Sequence, residues 1–237
     1  MKVSGFIFAA GLGTRLYPLT ANKPKALVRC QNKTLLDNAI DKMWECGIRD
    51  IIVNVHHFAD MMLDALRQHP HAANIRISDE RAYLRDTAGG LKFAEPLWMD
   101  SDLLLLYNVD ILSDIDLSKL IDHHIQQQAE ATLAVRHRLT QRYFLFNEPD
   151  RQLCGWENVK TGEKILAQNA GKQDRLAFSG IHVINTGFTH AIPSVEKSSI
   201  TRFYLENANH HRIIGYPHDA DQWLDVGKFE EFRNLLS

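Results

Sequence analysis

Residues 3–9, VSGFIFA, form an apolar run ahead of a glycine-containing loop, the pattern of a strand buried on both faces. In KTLLDNAIDKMWECG (33–47) the apolar positions recur at Leu35, Leu36, Ala39, Ile40, Met43 and Trp44, a helical stripe closed by Gly47. DIIVNV (50–55) then reads as a strand, and FADMMLDALRQHP (58–70) as a helix stopped before Pro70. NIRISDE (74–80) is strand-like, TAGGLKFAEPLW (87–98) is a loop opening into a short helix, and DLLLLYNVD (102–110) is the most apolar strand of the chain. This alternation up to about residue 135 predicts right-handed crossovers and a parallel sheet. Beyond it, ATLAVRHR, YFLFNE, KILAQ and FSGIHVIN are strand-like runs separated by turns, and only SSITRFYLENANH and KFEEFRNLLS look helical. The turn-rich NEPDRQLCGWENVKTGEK (147–164) reads as a hairpin excursion. The expected fold class is therefore α/β: a Rossmann-like, mixed but mostly parallel sheet covered by helices on both faces. With no linker and no internal repeat, residues 1–237 are read as one domain.

Composition narrows the function classes. Lys plus Arg (27) nearly balance Asp plus Glu (29), a formal charge of -2, so no nucleic-acid partner is expected and any anion site must be local. Three cysteines, Cys30, Cys46 and Cys154, lie far apart without CxxC spacing and read as reduced thiols, neither a zinc site nor a disulfide framework. No stretch approaches the roughly 20 apolar residues of a membrane span, and the N-terminal apolar run is too short for a signal peptide. A cytoplasmic protein with no membrane partner is expected, its oligomeric state open. Of the 12 histidines, the pairs at 56, 123 and 210 have no metal-ligand spacing and read as packed or solvated. Trp44, Trp98, Phe93 and Phe229 read as core.

The chemistry concentrates behind the first strand, in FAAGLGTRLYPLTANKPKAL (8–27). A glycine-rich turn at the carboxyl end of a sheet strand exposes backbone N–H groups that bind anions, although a solvated turn would also use Gly and Pro. The dinucleotide fingerprint needs a third glycine where Leu16 stands, which disfavours a nicotinamide oxidoreductase, and there is no G-K-[ST] phosphate loop. Arg15 and the pair Lys23 and Lys25 around Pro24 add cations aimed at one region, as phosphoryl transfer requires.

AAGLGTRLYPLTANKPKAL closely resembles the signature of the sugar-1-phosphate nucleotidyltransferases: a G-x-G-T-R loop, a PLT segment and a P-K pair. The resemblance is strongest over residues 3–55 and 85–110, thin from 136 to 176, and recovered from 178 and at 223–227. It implies that Ala10, Gly11, Gly13, Thr14 and Arg15 wrap a nucleoside triphosphate and that Lys25 contacts the phosphates near the reacting phosphorus, with Lys23 solvated.

Two phosphate-bearing substrates need a hard cation to join them, and Mg²⁺ is the cofactor the resemblance implies. Asp110 ends the most apolar strand and matches the family's metal-binding Asp, with Val109 standing where relatives have Gly. WLDVG, similar to the family's W-x-D-x-G segment, nominates Asp225 as the second ligand. Closing a strand or capping a helix is the competing role for each. Asp102 and Asp114 read as turn residues, and Asp116 as the cap of the helix that follows it.

RDTAGGLKFA resembles the family's G-T-A-G stretch against the nucleobase and ribose, which brings in Thr87, Gly89 and Gly90, with Glu80 ahead of them as a base or sugar contact. For the sugar, the resemblance brings in Asn108, Ser179 and Gly180, and more weakly Glu157. The E-K-P segment of many relatives is replaced by ILAQNAGKQDRLAFSG, which removes support from Lys172 and points to the short branch of the family. At 237 residues, the C-terminal β-helix of bifunctional relatives is not expected.

The activity implied is transfer of a nucleoside monophosphate from an NTP to a sugar 1-phosphate, giving a nucleotide sugar for cell-envelope or polysaccharide precursors. N-acetylmuramate, mannose or a related hexose stays open as the sugar, and so does the base. The alternative is a non-catalytic nucleotide-sugar-binding regulatory protein. Joint retention of Arg15, Lys25, Asp110 and Asp225 speaks against it.

Overall fold

In the computed structural model, which describes residues 1–167, 171–194 and 197–227, neighbouring side chains of the first apolar run go to opposite sides. Ile7 of β1 (Val3–Phe8) packs into one hydrophobic core, while Phe6 and Phe8 pack into a second. Side chains alternate across a strand, so an unbroken apolar run marks a sheet covered on both faces.

A two-stranded ribbon, β2 (Arg29–Cys30) and β3 (Lys33–Thr34), leads into α1 (Leu35–Glu45). That helix starts with a capping box in which the Thr34 hydroxyl accepts from the Asp37 amide and the Asp37 carboxylate accepts from the Thr34 amide. Its predicted stripe is buried, except that Trp44 leaves the core to stack on His71 at 3.5 Å between ring centroids. β4 (Ile51–Val55), α2 (Ala59–Gln68), β5 (Ile75–Asp79), α3 (Asp86–Phe93) and β6 (Leu103–Asn108) follow. β6, β1, β4 and β5 lie side by side and parallel, as the alternation predicts. Trp98 is core as expected, whereas Phe93 is 44% exposed beneath the Arg85 guanidinium.

β7 (Ile111–Ser113) and α4 (Leu117–Gln126) come next, the helix capped by Asp116, which accepts from the Lys119 amide. The second half supplies β8 (Ala131–Arg136), β9 (Arg142–Asn147), β10 (Leu153–Asn158), β11 (Glu163–Leu166) and the long β12 (Gln173–Asn185). β12 joins the halves of the sheet: Ile181 to Asn185 run antiparallel to β6, and Gln173 to Leu176 pair with β9. Its register against β8 shifts between Phe178 and His182, where Gly180 adopts φ +75, the conformation that lets a strand bulge and bend. The hairpin excursion contains a strand of its own, β10, which pairs with β9 on one side and β11 on the other.

After α5 (Thr186–Thr189) and α6 (Ile200–Asn207), β13 (Ile213–Pro217) runs parallel to β8, and β14 (Trp223–Asp225) returns antiparallel to β7. The result is a mixed ten-stranded sheet. Residues of α1, α2 and α4 pack on the Ile7 face and residues of α3 and α6 on the Phe6 face. The helix expected at 228–237, with Phe229, lies outside the described residues. Among the described residues no helix is long and apolar enough to cross a membrane, and the three cysteines are unpaired thiols.

The central strand carries the packing energy. Leu105 is fully buried in β6, so Leu105→Ala is expected to cost about 3 kcal/mol, while Met99→Ala, at an 82% exposed position, should stay within about 0.5 kcal/mol. Equilibrium urea unfolding of both variants measures the difference.

Candidate active site

The carboxyl ends of β1, β4 and β6 open onto a cleft of about 340 Å³. Eight of the sequence-nominated residues line it: Ala10, Gly11, Arg15, Lys25, Glu80, Thr87, Asn108 and Asp110. The loop from β1 turns at Gly13, whose φ of +69 leads into a single helical turn, Thr14–Leu16. A Cβ built on Gly13 would lie 3.1 Å from Lys25 Cβ and 3.0 Å from Thr20 Cγ2, so the loop closes tightly on the lysine segment. Gly13 and Thr14 shape the loop without lining the cleft.

Lys25 reaches from this loop to the end of β6, where its Nζ donates to Asp110 Oδ2 at 2.8 Å. Arg15 Nη2 approaches the same oxygen at 3.9 Å, from a side chain 61% exposed. The Lys25 and Asp110 side chains are only 13% and 9% exposed, so each charge depends on the other for solvation.

Asp225 comes to this place from 115 residues further along the chain. It sits opposite Ile111 in the β7–β14 ribbon, and the Val226 amide donates to the Asp110 carbonyl at 2.9 Å. A Cβ built on Gly227 would lie 2.6 Å from Asp110 Oδ2, 2.7 Å from Asp225 Oδ1 and 3.1 Å from Arg15 Nη2. A side chain at 227 would have to push these carboxylates and the guanidinium aside. No group of three or more His, Cys, Asp or Glu side chains with metal-holding geometry occurs among the described residues. Two carboxylates without a third suit a cation that completes its shell with water and phosphate oxygens, which is how Mg²⁺ binds.

Asn54 is the residue that pattern reading missed. It is 3% exposed in the apolar run IIVNV, its Oδ1 accepts from the Ala9 and Ala10 amides at 2.7 and 3.2 Å, and its Nδ2 donates to Glu80 Oε1 at 2.8 Å. An amide inside a doubly buried strand was the available signal, since such a group must find partners. Glu80 is 2% exposed, and its second oxygen has no hydrogen-bond partner among the described residues. Burial pushes its pKa up, with the Asn54 bond offsetting part of the shift. Gly90 is small because a Cβ there would lie 2.7 Å from Glu80 Oε1.

Other nominated residues hold the frame. Thr87 lines the cleft and its hydroxyl accepts from the Ile200 amide at 2.9 Å. Gly89 donates its amide to the Ser198 carbonyl and does not line the cleft. Ser179 is fully buried, with Oγ 2.6 Å from His218 Nε2, and His218 Nδ1 lies 3.6 Å from Asp221. This Ser, His and Asp series is closed to substrate. It braces the segment before β14, helped by the Trp223 indole, which donates to the Ser179 carbonyl at 2.8 Å. Asp114, read as a turn residue, accepts from the Gln222 amide and fixes the same segment. A Cβ on Gly180 would lie 2.8 Å from Asn108 Nδ2, so this glycine makes room for a cleft residue. Glu157, buried on β10, is ion-paired with Arg175 and lines no part of the cleft.

A family model described as nucleotidyl transferase matches residues 4–236. An N-acetylmuramate alpha-1-phosphate uridylyltransferase of Caulobacter vibrioides is 44% identical over 231 residues, covering 93% of this chain and 90% of that protein. A mannose-1-phosphate guanyltransferase of Yarrowia lipolytica is 27% identical, and the match covers 97% of this chain but 62% of that longer protein. Two solved structures share the fold: a Bacillus anthracis protein in complex with sucrose, TM-score 0.81, 17% identity, coverage 98% and 93%, and HddC of Yersinia pseudotuberculosis with GMP-PN, TM-score 0.74, 18% identity, coverage 99% and 98%.

The raised Glu80 pKa means that the folded state holds this proton more tightly than the unfolded chain does. Its contribution to stability is complete below the unfolded carboxyl range and is lost as pH rises through the folded pKa. The unfolding free energy of wild type relative to Glu80→Gln should therefore move in favour of wild type between pH 7 and pH 4.5, as read by denaturant titration.

Proposed function

This chain belongs to the nucleotidyl transferase family, and on that premise we propose that it moves a nucleoside monophosphate from a nucleoside triphosphate to a sugar 1-phosphate, releasing pyrophosphate. The observation that carries this reading is the convergence of Arg15, Lys25, Asp110 and Asp225 beside the glycine loop, at the carboxyl ends of the parallel strands. In open α/β sheets that is where phosphates bind.

The triphosphate would lie along the loop backbone from Ala10 to Gly13, with its base toward Glu80, Thr87 and Gly90. Arg15 is exposed at the mouth and suits the β- and γ-phosphates that depart as pyrophosphate. Lys25, at the inner end, would turn its ammonium from Asp110 to the α-phosphate and stabilise the charge that builds up there. Asp110 and Asp225 fit as ligands of Mg²⁺, which when bound would neutralise phosphate charge and give both substrates a common anchor. The nucleophile is an oxygen of the acceptor's phosphate, attacking the α-phosphorus as the bond to pyrophosphate breaks. A phosphate monoester has its second pKa near about 6, so this oxygen is already ionised at neutral pH and no general base is needed. Among the described residues no histidine lines the cleft, which is compatible with that chemistry.

Acceptors of the hexose 1-phosphate class follow from this reading, with products that serve as cell-envelope or polysaccharide precursors. N-acetylmuramate and mannose 1-phosphates, the sugars in the relatives' names, are the first to test, against each common nucleoside triphosphate. Pyrophosphate release measures the whole matrix, and no release from any pair would reject the reaction. Lys25→Ala is expected to lower turnover by roughly 10²-fold or more; turnover at the wild-type level would take Lys25 out of the mechanism. Chelation with EDTA should abolish release and added Mg²⁺ restore it, and Asp225→Asn should raise the Mg²⁺ concentration needed for half-maximal rate.

A further inference from the structure

The chain leaves β1 after Phe8, yet Ala9 and Ala10 are still buried. A buried backbone N–H needs a partner, and both of these amides find the same one, Oδ1 of Asn54, at 2.7 and 3.2 Å. The orientation of the Asn54 amide is fixed from both sides. Two donors face its oxygen, and its Nδ2 donates to Glu80 Oε1 at 2.8 Å; a flipped amide would set N–H against N–H. Gly90 leaves the space for this, because a Cβ there would lie 3.1 Å from Asn54 Nδ2.

The four amides that follow are different. Those of Gly11, Leu12, Gly13 and Thr14 donate to no group among the described residues. Gly11 and Arg15, at the two ends of this stretch, line the cleft, so the open amides run along its rim. Successive open amides around a left-handed residue, here Gly13 at φ +69, form a concavity that binds anions. The stretch is pinned at both ends: Asn54 holds Ala9 and Ala10, and the Thr20 hydroxyl donates to the Gly13 carbonyl at 2.9 Å. Without an acceptor at position 54, two buried amides would lose their partner, and the loop would have to turn to wet them.

We propose that Asn54 is a positioning residue: by holding the Ala9 and Ala10 amides it fixes the direction in which the amides of Gly11 to Thr14 face, and so sets the affinity of the loop for the phosphates that leave as pyrophosphate. Glu80, through Oε1, keeps Asn54 in the required orientation. The proposal deepens the nucleotidyl-transfer reading and rests on it for the identity of the anion.

The probe is pyrophosphate with Mg²⁺, which binds through phosphate contacts alone. Its affinity is measured by calorimetry for wild type, Asn54→Val and Asn54→Asp, and amide exchange at Ala9 and Ala10 is followed by NMR. Asn54→Val suits a buried strand but carries no acceptor. It is expected to bind pyrophosphate about tenfold or more weakly, the scale of a lost charge-assisted hydrogen bond, with faster exchange at both alanines. Asn54→Asp keeps an acceptor, so slow exchange should persist and part of the affinity should return. A merely structural Asn54 would lower the urea midpoint of Asn54→Val and leave the pyrophosphate affinity of the folded variant unchanged, and that result would overturn the proposal. So would an equal loss of affinity in Asn54→Asp despite slow exchange, or a wild type that binds no pyrophosphate. A measurement on wild type keeps the question open to decision should a variant fail to fold: pyrophosphate is expected to shift the amide resonances of Gly11 to Thr14 while Ala9 and Ala10 stay protected, and the reverse pattern overturns the proposal. Pyrophosphate release from nucleoside triphosphates is read separately. Its failure with every substrate pair rejects the reaction, while the affinity and exchange data still decide the role of Asn54.

Discussion

Lys25 Nζ to Asp110 Oδ2, 2.8 Å, is the contact on which the site depends, because it ties the loop after the first strand to the end of the central strand. Both side chains are largely removed from water, so neither charge tolerates losing its partner without a replacement. In the proposed reaction the replacements arrive together: phosphate for the lysine and a divalent cation for the aspartate. Paired, the two charges balance each other; in the proposed reaction they would become two separate ligands.

Holding that pair in place takes the rest of the architecture. Asn54 stitches the loop backbone to Glu80 across the ends of β1 and β4. On the other side, Ser179, His218, Trp223 and Asp114 brace the segment that delivers Asp225 to Asp110. These are polar contacts buried in the frame, and directional hydrogen bonds in a low-dielectric interior fix the relative position of the segments they join. Rigidity matters here because phosphoryl transfer gives the protein little covalent work and relies on position and charge.

Asp110 and Asp225 line two different cavities. One cavity is set by the parallel half of the sheet and contains the glycine loop. The other is set by β9, the loop before it and β14, all from the second half. The strand β12, bent at Gly180, keeps the two in fixed relation.

Much of this was legible along the chain. Continuous apolar runs identified β1, β4 and β6, the stripe of α1 identified its buried face, and the glycine loop singled out Arg15 and Lys25, which line one cleft with Asp110, because these features are local. Other features were not. Strand β10 hid between turns, and Asn54 looked like an interruption in a strand until its three hydrogen bonds were visible. Ser179 and Glu157, nominated for a sugar, are engaged by His218 and Arg175 instead, and Gly89 by Ser198. The sequence by itself determined which strands are doubly buried and which segment carries the cations, since periodicity and turn chemistry act over a few residues. The tertiary structure alone decided that Asp225 meets Asp110 and that Asn54 meets the loop after β1, because chain segments more than 40 residues apart are brought together only by the register of the folded sheet.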